Sequence, residues 1–129
     1  MHRLIMVFND FNFCRITKLE DDIAELIFTQ GYEILPENID AIHALLGENL
    51  ADPYMIVIDK RYEYSYSFDA QLKLGEHEGM KAIAIISQSS IASASLEHLQ
   101  SLHRKKPMNM KAFPSREKAL SWLHLQRLQ

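Results

Sequence analysis

Two apolar stretches, Tyr54-Met55-Ile56-Val57-Ile58 and Lys81-Ala82-Ile83-Ala84-Ile85-Ile86, decide how this chain reads. Each is short and rich in β-branched residues. Neither shows the polar alternation of a half-wet strand, so each predicts a strand covered on both faces, as at the centre of a parallel sheet. Asp59 closes the first stretch and Ser87 follows the second. The segment from Asp59 to Lys81 exceeds the dozen or so residues that a parallel crossover needs. Ser67-Phe68-Asp69-Ala70-Gln71-Leu72-Lys73-Leu74 supplies a crossover helix, with Phe68, Leu72 and Gly75 expected inward.

Upstream, Phe13 to Leu19 alternates as a half-buried strand, Glu20-Asp21-Asp22 turns, and Ile23 to Thr29 forms a second strand, so the pair predicts an antiparallel hairpin. Leu4 to Phe8 is either a further edge strand or a loose arm within residues 1–11. Pro36 opens a helix whose Ile39, Ile42, Leu45, Leu46 and Leu50 share one face. Proline suits a first turn because its missing N–H has no partner there in any case. Downstream, Leu96, Leu99 and Leu102 predict another helix, stopped by Pro107. Met108 to Phe113 reads as a last strand. Ser115 then caps a closing helix with Ala119, Leu120, Trp122 and Leu123 on its buried side. The expected order is β-β-α-β-α-β-α-β-α, an α/β layer fold with a mostly parallel central sheet, an antiparallel N-terminal strand and helices packed on the sheet.

The arithmetic of size agrees with one domain over residues 1–129. A chain of 15.0 kDa has roughly 7,000 Å² of folded surface against roughly 22,000 Å² unfolded, enough for one full core. Hydrophobic residues at 47% and charged residues at 24% exclude a disordered chain. A formal net charge of −3 argues against a protein built to coat nucleic acid. Cys14 is the single cysteine, which excludes an intrachain disulfide framework. No apolar run approaches the eighteen or so residues of a membrane span, and the N-terminus is a poor signal peptide, so the cytoplasm is the expected location.

Charge is unevenly spread. Acids dominate up to Asp59, among them Glu20, Asp21, Asp22 and Glu25, whereas after residue 100 Arg104, Lys105, Lys106, Lys111, Arg116, Lys118 and Arg127 face Glu117 alone. Such a split either marks a basic patch for an acidic partner or gives two surfaces that complement each other within the fold or between copies.

Motifs for chemistry are sparse. The histidines, at 2, 43, 77, 98, 103 and 124, share no i, i+4 helix spacing and no Cys/His cluster, so no metal site is expected. There is no G-x-S-x-G elbow, and four scattered glycines make no phosphate loop, so no cofactor is expected either. Cys14 sits in a strand, where a lone cysteine reads as a small buried hydrophobe rather than a nucleophile. One region does collect functional side chains. In open parallel sheets ligands bind beyond the carboxyl ends of the strands, and Asp59, Lys60, Arg61, Tyr64, Tyr66, Phe68 and Ser87 are expected at that edge. The same tyrosines also fit a plain edge cover or a dimer face.

The order of these segments resembles a known family. A two-strand opening, a helix after Pro36-Glu37-Asn38, the runs Tyr54–Asp59 and Lys81–Ser87, and the closing pattern of Phe113, Ser115, Glu117, Ala119, Trp122 and Leu123 are similar to the small bacterial SpoIIAA-like proteins, which share the STAS (anti-sigma-factor antagonist) fold. The resemblance covers about residues 12 to 126. In it, Phe113 and Trp122 are expected to pack the last strand and helix together. Regulatory members carry a phosphorylated serine at the start of the helix after the central strand, and the matching positions here are Ser67 and its neighbour Ser65. The surrounding turn lacks that family's preceding Asp and following Gly, and Ser67 equally fits a helix N-cap. A phosphate at a helix start is physically favourable.

The resemblance implies a non-enzymatic regulatory domain. It would dock a protein partner or a second copy through the loop and helix from Arg61 to Leu74. The alternative is a carrier of a small apolar ligand or lipid, held between the sheet and the helix from Ser67 to Leu74. A hydrolase using a serine or Cys14 is a third reading.

Overall fold

The computed structural model describes residues 6–74, 78–87 and 109–129. Its main sheet has six strands: β1 (Met6–Asp10), β2 (Cys14–Glu20), β3 (Ile23–Phe28), β5 (Tyr54–Asp59), β7 (Met80–Ile86) and β8 (Met110–Phe113), in the spatial order β1-β2-β3-β5-β7-β8. The two apolar stretches lie side by side and parallel, in the register Tyr54↔Met80, Ile56↔Ile83, Val57↔Ala84 and Asp59↔Ile86. β3 and β8 flank them, both parallel, while β1, β2 and β3 form an antiparallel meander. Met6 to Asp10 form an edge strand, and Leu4 and Ile5 lie outside the described residues. Two short strands, β4 (Glu33–Ile34) and β6 (Ser65–Tyr66), pair with each other outside the main sheet. The expected helix around Leu96 to Leu102, and Gly75 expected inward after the crossover helix, lie outside the described residues.

Both faces of the sheet are covered, as its unbroken apolar strands require. One core unites Ile16, Leu26, Phe28, Ile56, Ile58, Ile83 and Ile85 with Ile39, Ile42 and Leu46 of helix α1 (Pro36–Asn49) and Ala70 of helix α2 (Phe68–Lys73). The other joins Ile23, Met55, Val57, Ala82 and Ala84 to Ala119 and Leu123 of helix α3 (Arg116–Arg127). Alternation along β5 explains the split: Ile56 and Ile58 point to one face, Met55 and Val57 to the other.

Local chemistry sets the helix starts. Pro36 occupies the first turn of α1, and Asn38 turns its Oδ1 back to accept the Leu35 N–H at 2.7 Å. Ser67 and Ser115 cap α2 and α3, accepting from the Ala70 and Lys118 N–H groups. Gly31, with φ 76°, makes the turn after β3, a conformation open to glycine at no steric cost, and its N–H donates to the Glu63 carbonyl.

One expected orientation is reversed. Phe68 does not face inward: it is 64% exposed, while Ala70 and Leu74 carry the buried side and Leu72 is half-buried. Within six residues a helix offers barely one inward stripe, and the spacing from Ala70 to Leu74 claims it. Leu50, expected on the helical face, is the residue that ends α1.

Candidate functional site

Because β3, β5, β7 and β8 run the same way, Phe28, Asp59, Ile86 and Phe113 finish at one edge. The loop after β5 is tied there by backbone bonds. Lys60 N–H donates to the Ile86 carbonyl at 3.0 Å, Ser87 N–H to the Phe113 carbonyl at 2.9 Å, and Ser67 N–H to the Ile34 carbonyl at 2.9 Å. Asp59, Lys60, Arg61 and Ser87 are therefore neighbours by strand register.

The aromatic residues of this loop divide into two kinds. Tyr64 and Tyr66 are packed: Tyr64 lies 4.7 Å from the Phe28 ring, Tyr66 meets Phe28 edge-on at 6.1 Å, and the two tyrosyl oxygens are 3.5 Å apart. Both rings border the larger core. Burial pushes the Tyr64 hydroxyl well above its ordinary pKa, and pushes that of Tyr66 up to about 12. Both hydroxyls stay protonated at neutral pH. Lys60 spreads its ammonium 4.5 Å above the Tyr64 ring, and burial pulls its pKa below the usual range. By contrast Tyr62 and Phe68 stand out in solvent, at 46% and 64% exposure.

The two serines also differ. Ser65 is exposed on β6, with its N–H donating to the Tyr32 carbonyl. Ser67 is half-buried, and its hydroxyl accepts the Ala70 N–H at 3.2 Å. The N-cap role is thus the one its geometry displays.

On the opposite sheet face the same edge carries paired charges that the sequence reading missed. Glu25, 5% exposed, sits mid-strand in β3 and pairs with Arg116 at the start of α3. Asp59 pairs with Arg61 at 2.7 Å. The available signal was a single charge inside the otherwise apolar Ile23-Ala24-Glu25-Leu26-Ile27-Phe28: a carboxylate in a two-sided strand needs a cationic partner.

At the other edge, where the parallel strands begin, the acidic and basic halves of the chain meet. Arg127 reaches Glu20 at 2.7 Å and Asp22 at 2.6 and 2.9 Å, and His124 reaches Glu20 at 2.7 Å. The complementing of two surfaces within the fold is realised in these pairs and in Glu25–Arg116, while Arg104, Lys105 and Lys106 lie outside the described residues. A cleft of about 420 Å³ opens beside the pairs, lined by Glu20, Asp22, Asp52, Met55, Lys81 and Arg127 among others. It lies across the sheet from the expected ligand edge. Between the sheet and α2, where the alternative reading put an apolar ligand, Ala70 and Leu74 are buried in one cluster with Phe28 and Ile58.

Cys14 is fully buried. Among the described residues no three His, Cys, Asp or Glu side chains converge in a metal-binding arrangement. No described helix is long and apolar enough to cross a membrane. Phe113 and Trp122 pack with ring centroids 5.5 Å apart, joining the last strand to the last helix.

No family model and no curated protein matches the chain. Among solved structures, an uncharacterised protein of the DUF3478 family with a SpoIIAA-like fold, from Shewanella loihica, matches at TM-score 0.58 and 24% identity, over 85% of this chain and 91% of that one. The phosphorylated form of the Bacillus cell-fate determinant SpoIIAA matches at TM-score 0.43 and 11% identity, over 85% of this chain and 98% of that one. The chain has a SpoIIAA-like fold, a mixed α/β architecture with a mostly parallel sheet.

Proposed function

We propose that this chain is a non-enzymatic, cytoplasmic regulatory domain that docks a protein partner through the loop after β5 and the first turn of α2. One observation carries the reading: Phe68 and Tyr62 expose large apolar side chains on a segment whose other aromatics, Tyr64 and Tyr66, are packed beneath it. Aromatic side chains anchored on a braced support are the usual energetic centres of protein interfaces, because little side-chain entropy is lost when they are covered. Arg61, held by Asp59, supplies an oriented charge at the rim. A phosphoacceptor on this segment falls to Ser65, which is exposed, rather than to Ser67, whose hydroxyl is occupied in capping.

The test is the double variant Tyr62→Ser with Phe68→Ser. Sedimentation equilibrium reports self-association, and quantitative pull-down with mass spectrometry reports other proteins. The wild type is expected to hold a second copy or a defined partner that the variant releases, with an unchanged far-UV spectrum. Equal retention by the variant, or no association by either protein, overturns it.

A further inference from the structure

Among the described residues, the sheet face away from α1 and α2 is covered by α3 alone, over an apolar cluster smaller than the one on the other face. Only Ala119 and Leu123 of α3 are buried. They meet Ile23, Met55, Val57, Ala82 and Ala84, so alanines supply three of the seven buried side chains in this cluster, and Leu19, Ile86, Phe113, Leu120 and Trp122 pack half-buried around it. Hydrophobic stabilisation follows the apolar area removed from water, and alanine removes little.

The ends of α3 are held by charge as well. Its first turn is tied by Arg116 to Glu25. Its last turn is tied by His124 to Glu20 at 2.7 Å and by Arg127 to both Glu20 and Asp22. Lys81 donates to the Arg127 carbonyl at 3.4 Å and to the Gln129 carbonyl. One tie is neutral, Asn109 to Gln126 at 2.8 Å. Arg116 and Arg127 are each 40% or more exposed, so their attractions to Glu25, Glu20 and Asp22 are open to screening by salt. β5 and β7 have a second hold, because Ile56, Ile58, Ile83 and Ile85 are locked into the larger core on the other face.

We infer that α3 is a latched cover: a unit that lifts from the sheet without unfolding it, with the Arg127–Glu20–Asp22 cluster as its latch. Lifting exposes the strip of Met55, Val57, Ala82 and Ala84 and returns the Glu25 carboxylate to water. Segments with few buried apolar contacts open at a lower free energy than the global transition. Here the opening is tuned by ionic strength.

Hydrogen exchange of the full chain, read by mass spectrometry at low salt and in 0.5 M NaCl, tests this. Amides of residues 119–127 are expected to exchange faster than those of β5 and β7. Salt and Arg127→Gln are each expected to speed α3 by about tenfold, corresponding to roughly 1.4 kcal/mol, with β5 and β7 unchanged. The salt series on the wild-type chain guards against a variant that folds poorly. If α3 exchanges at the rate of β5 and β7, if salt leaves α3 unmoved, or if the strands accelerate together with it, the helix is part of the global unit and the inference falls.

Discussion

Replacing Tyr66 and Phe68 one at a time by alanine separates support from surface within a single short segment. Tyr66 packs its ring against Phe28 and Tyr64 and brings its oxygen to 3.5 Å from that of Tyr64. Truncating a fully buried aromatic to alanine costs about 3–5 kcal/mol. Tyr66 is half-buried, which lowers the packing loss to about 2 kcal/mol, and the stranded Tyr64 hydroxyl adds about 1 kcal/mol. Phe68, 64% exposed, falls among surface changes that stay within about 0.5 kcal/mol. With a urea m-value of about 2 kcal/mol/M, Tyr66→Ala lowers the unfolding midpoint by about 1.5 M and Phe68→Ala by no more than about 0.25 M. Urea titrations followed by Trp122 fluorescence and far-UV circular dichroism measure both. Comparable midpoint shifts for the two variants, or a larger one for Phe68→Ala, refute the division of the segment on which the docking proposal rests.

Acid should weaken the wild type more than Arg127→Gln. Partial burial disfavours the Glu20 carboxylate, but the hydrogen bonds from Arg127 and His124 outweigh it and hold the pKa below the ordinary value; Arg127 does the same for Asp22 against a smaller burial effect. A depressed folded-state pKa gives stability that is complete above the unfolded-state value and is lost as pH falls through the folded one. Thermal melts from pH 7 down to pH 2 should therefore begin to converge for the two proteins below about pH 4 and meet at lower pH; parallel curves would count against the cluster. Ser115→Ala removes the cap of α3 and should cost about 1 kcal/mol, a fall of about 4 °C in Tm by calorimetry. The Cys14 thiol, fully buried, should react with a disulfide reagent only after denaturant is added, and prompt labelling of the native protein would contradict its place in the core.

How far the sequence could be read follows from the length of each signal. Tyr54–Ile58 and Lys81–Ile86 were legible because burial on both faces leaves an unbroken apolar run, and the hairpin was legible by the alternation of its first strand and the turn Glu20-Asp21-Asp22. Glu33–Ile34 and Ser65–Tyr66 are too short to carry a period, so β4 and β6 emerge only from tertiary pairing. That pairing is what holds Tyr66 against the sheet and leaves Phe68 turned to solvent. At the site, the shared edge of Asp59, Lys60 and Ser87 followed from the parallel direction of the strands. The contacts Glu25–Arg116 and Arg127–Glu20 join residues distant in sequence, and composition revealed only that the two ends of the chain carry opposite charge.

The two edges of the sheet differ in kind. One ends in an aromatic loop braced from below, with Tyr62 and Phe68 outermost. The other is a polar cleft whose Glu20, Asp22 and Arg127 hold one another. Which edge a residue belongs to is settled by strand direction alone, and the docking proposal for the loop after β5 presumes that β5 and β7 run parallel. Nuclear Overhauser contacts between these strands test that premise most directly. The account predicts contacts from Tyr54 to Met80 and from Asp59 to Ile86, the two ends of the observed register; contacts from Tyr54 to Ile86 and from Asp59 to Met80 would contradict it.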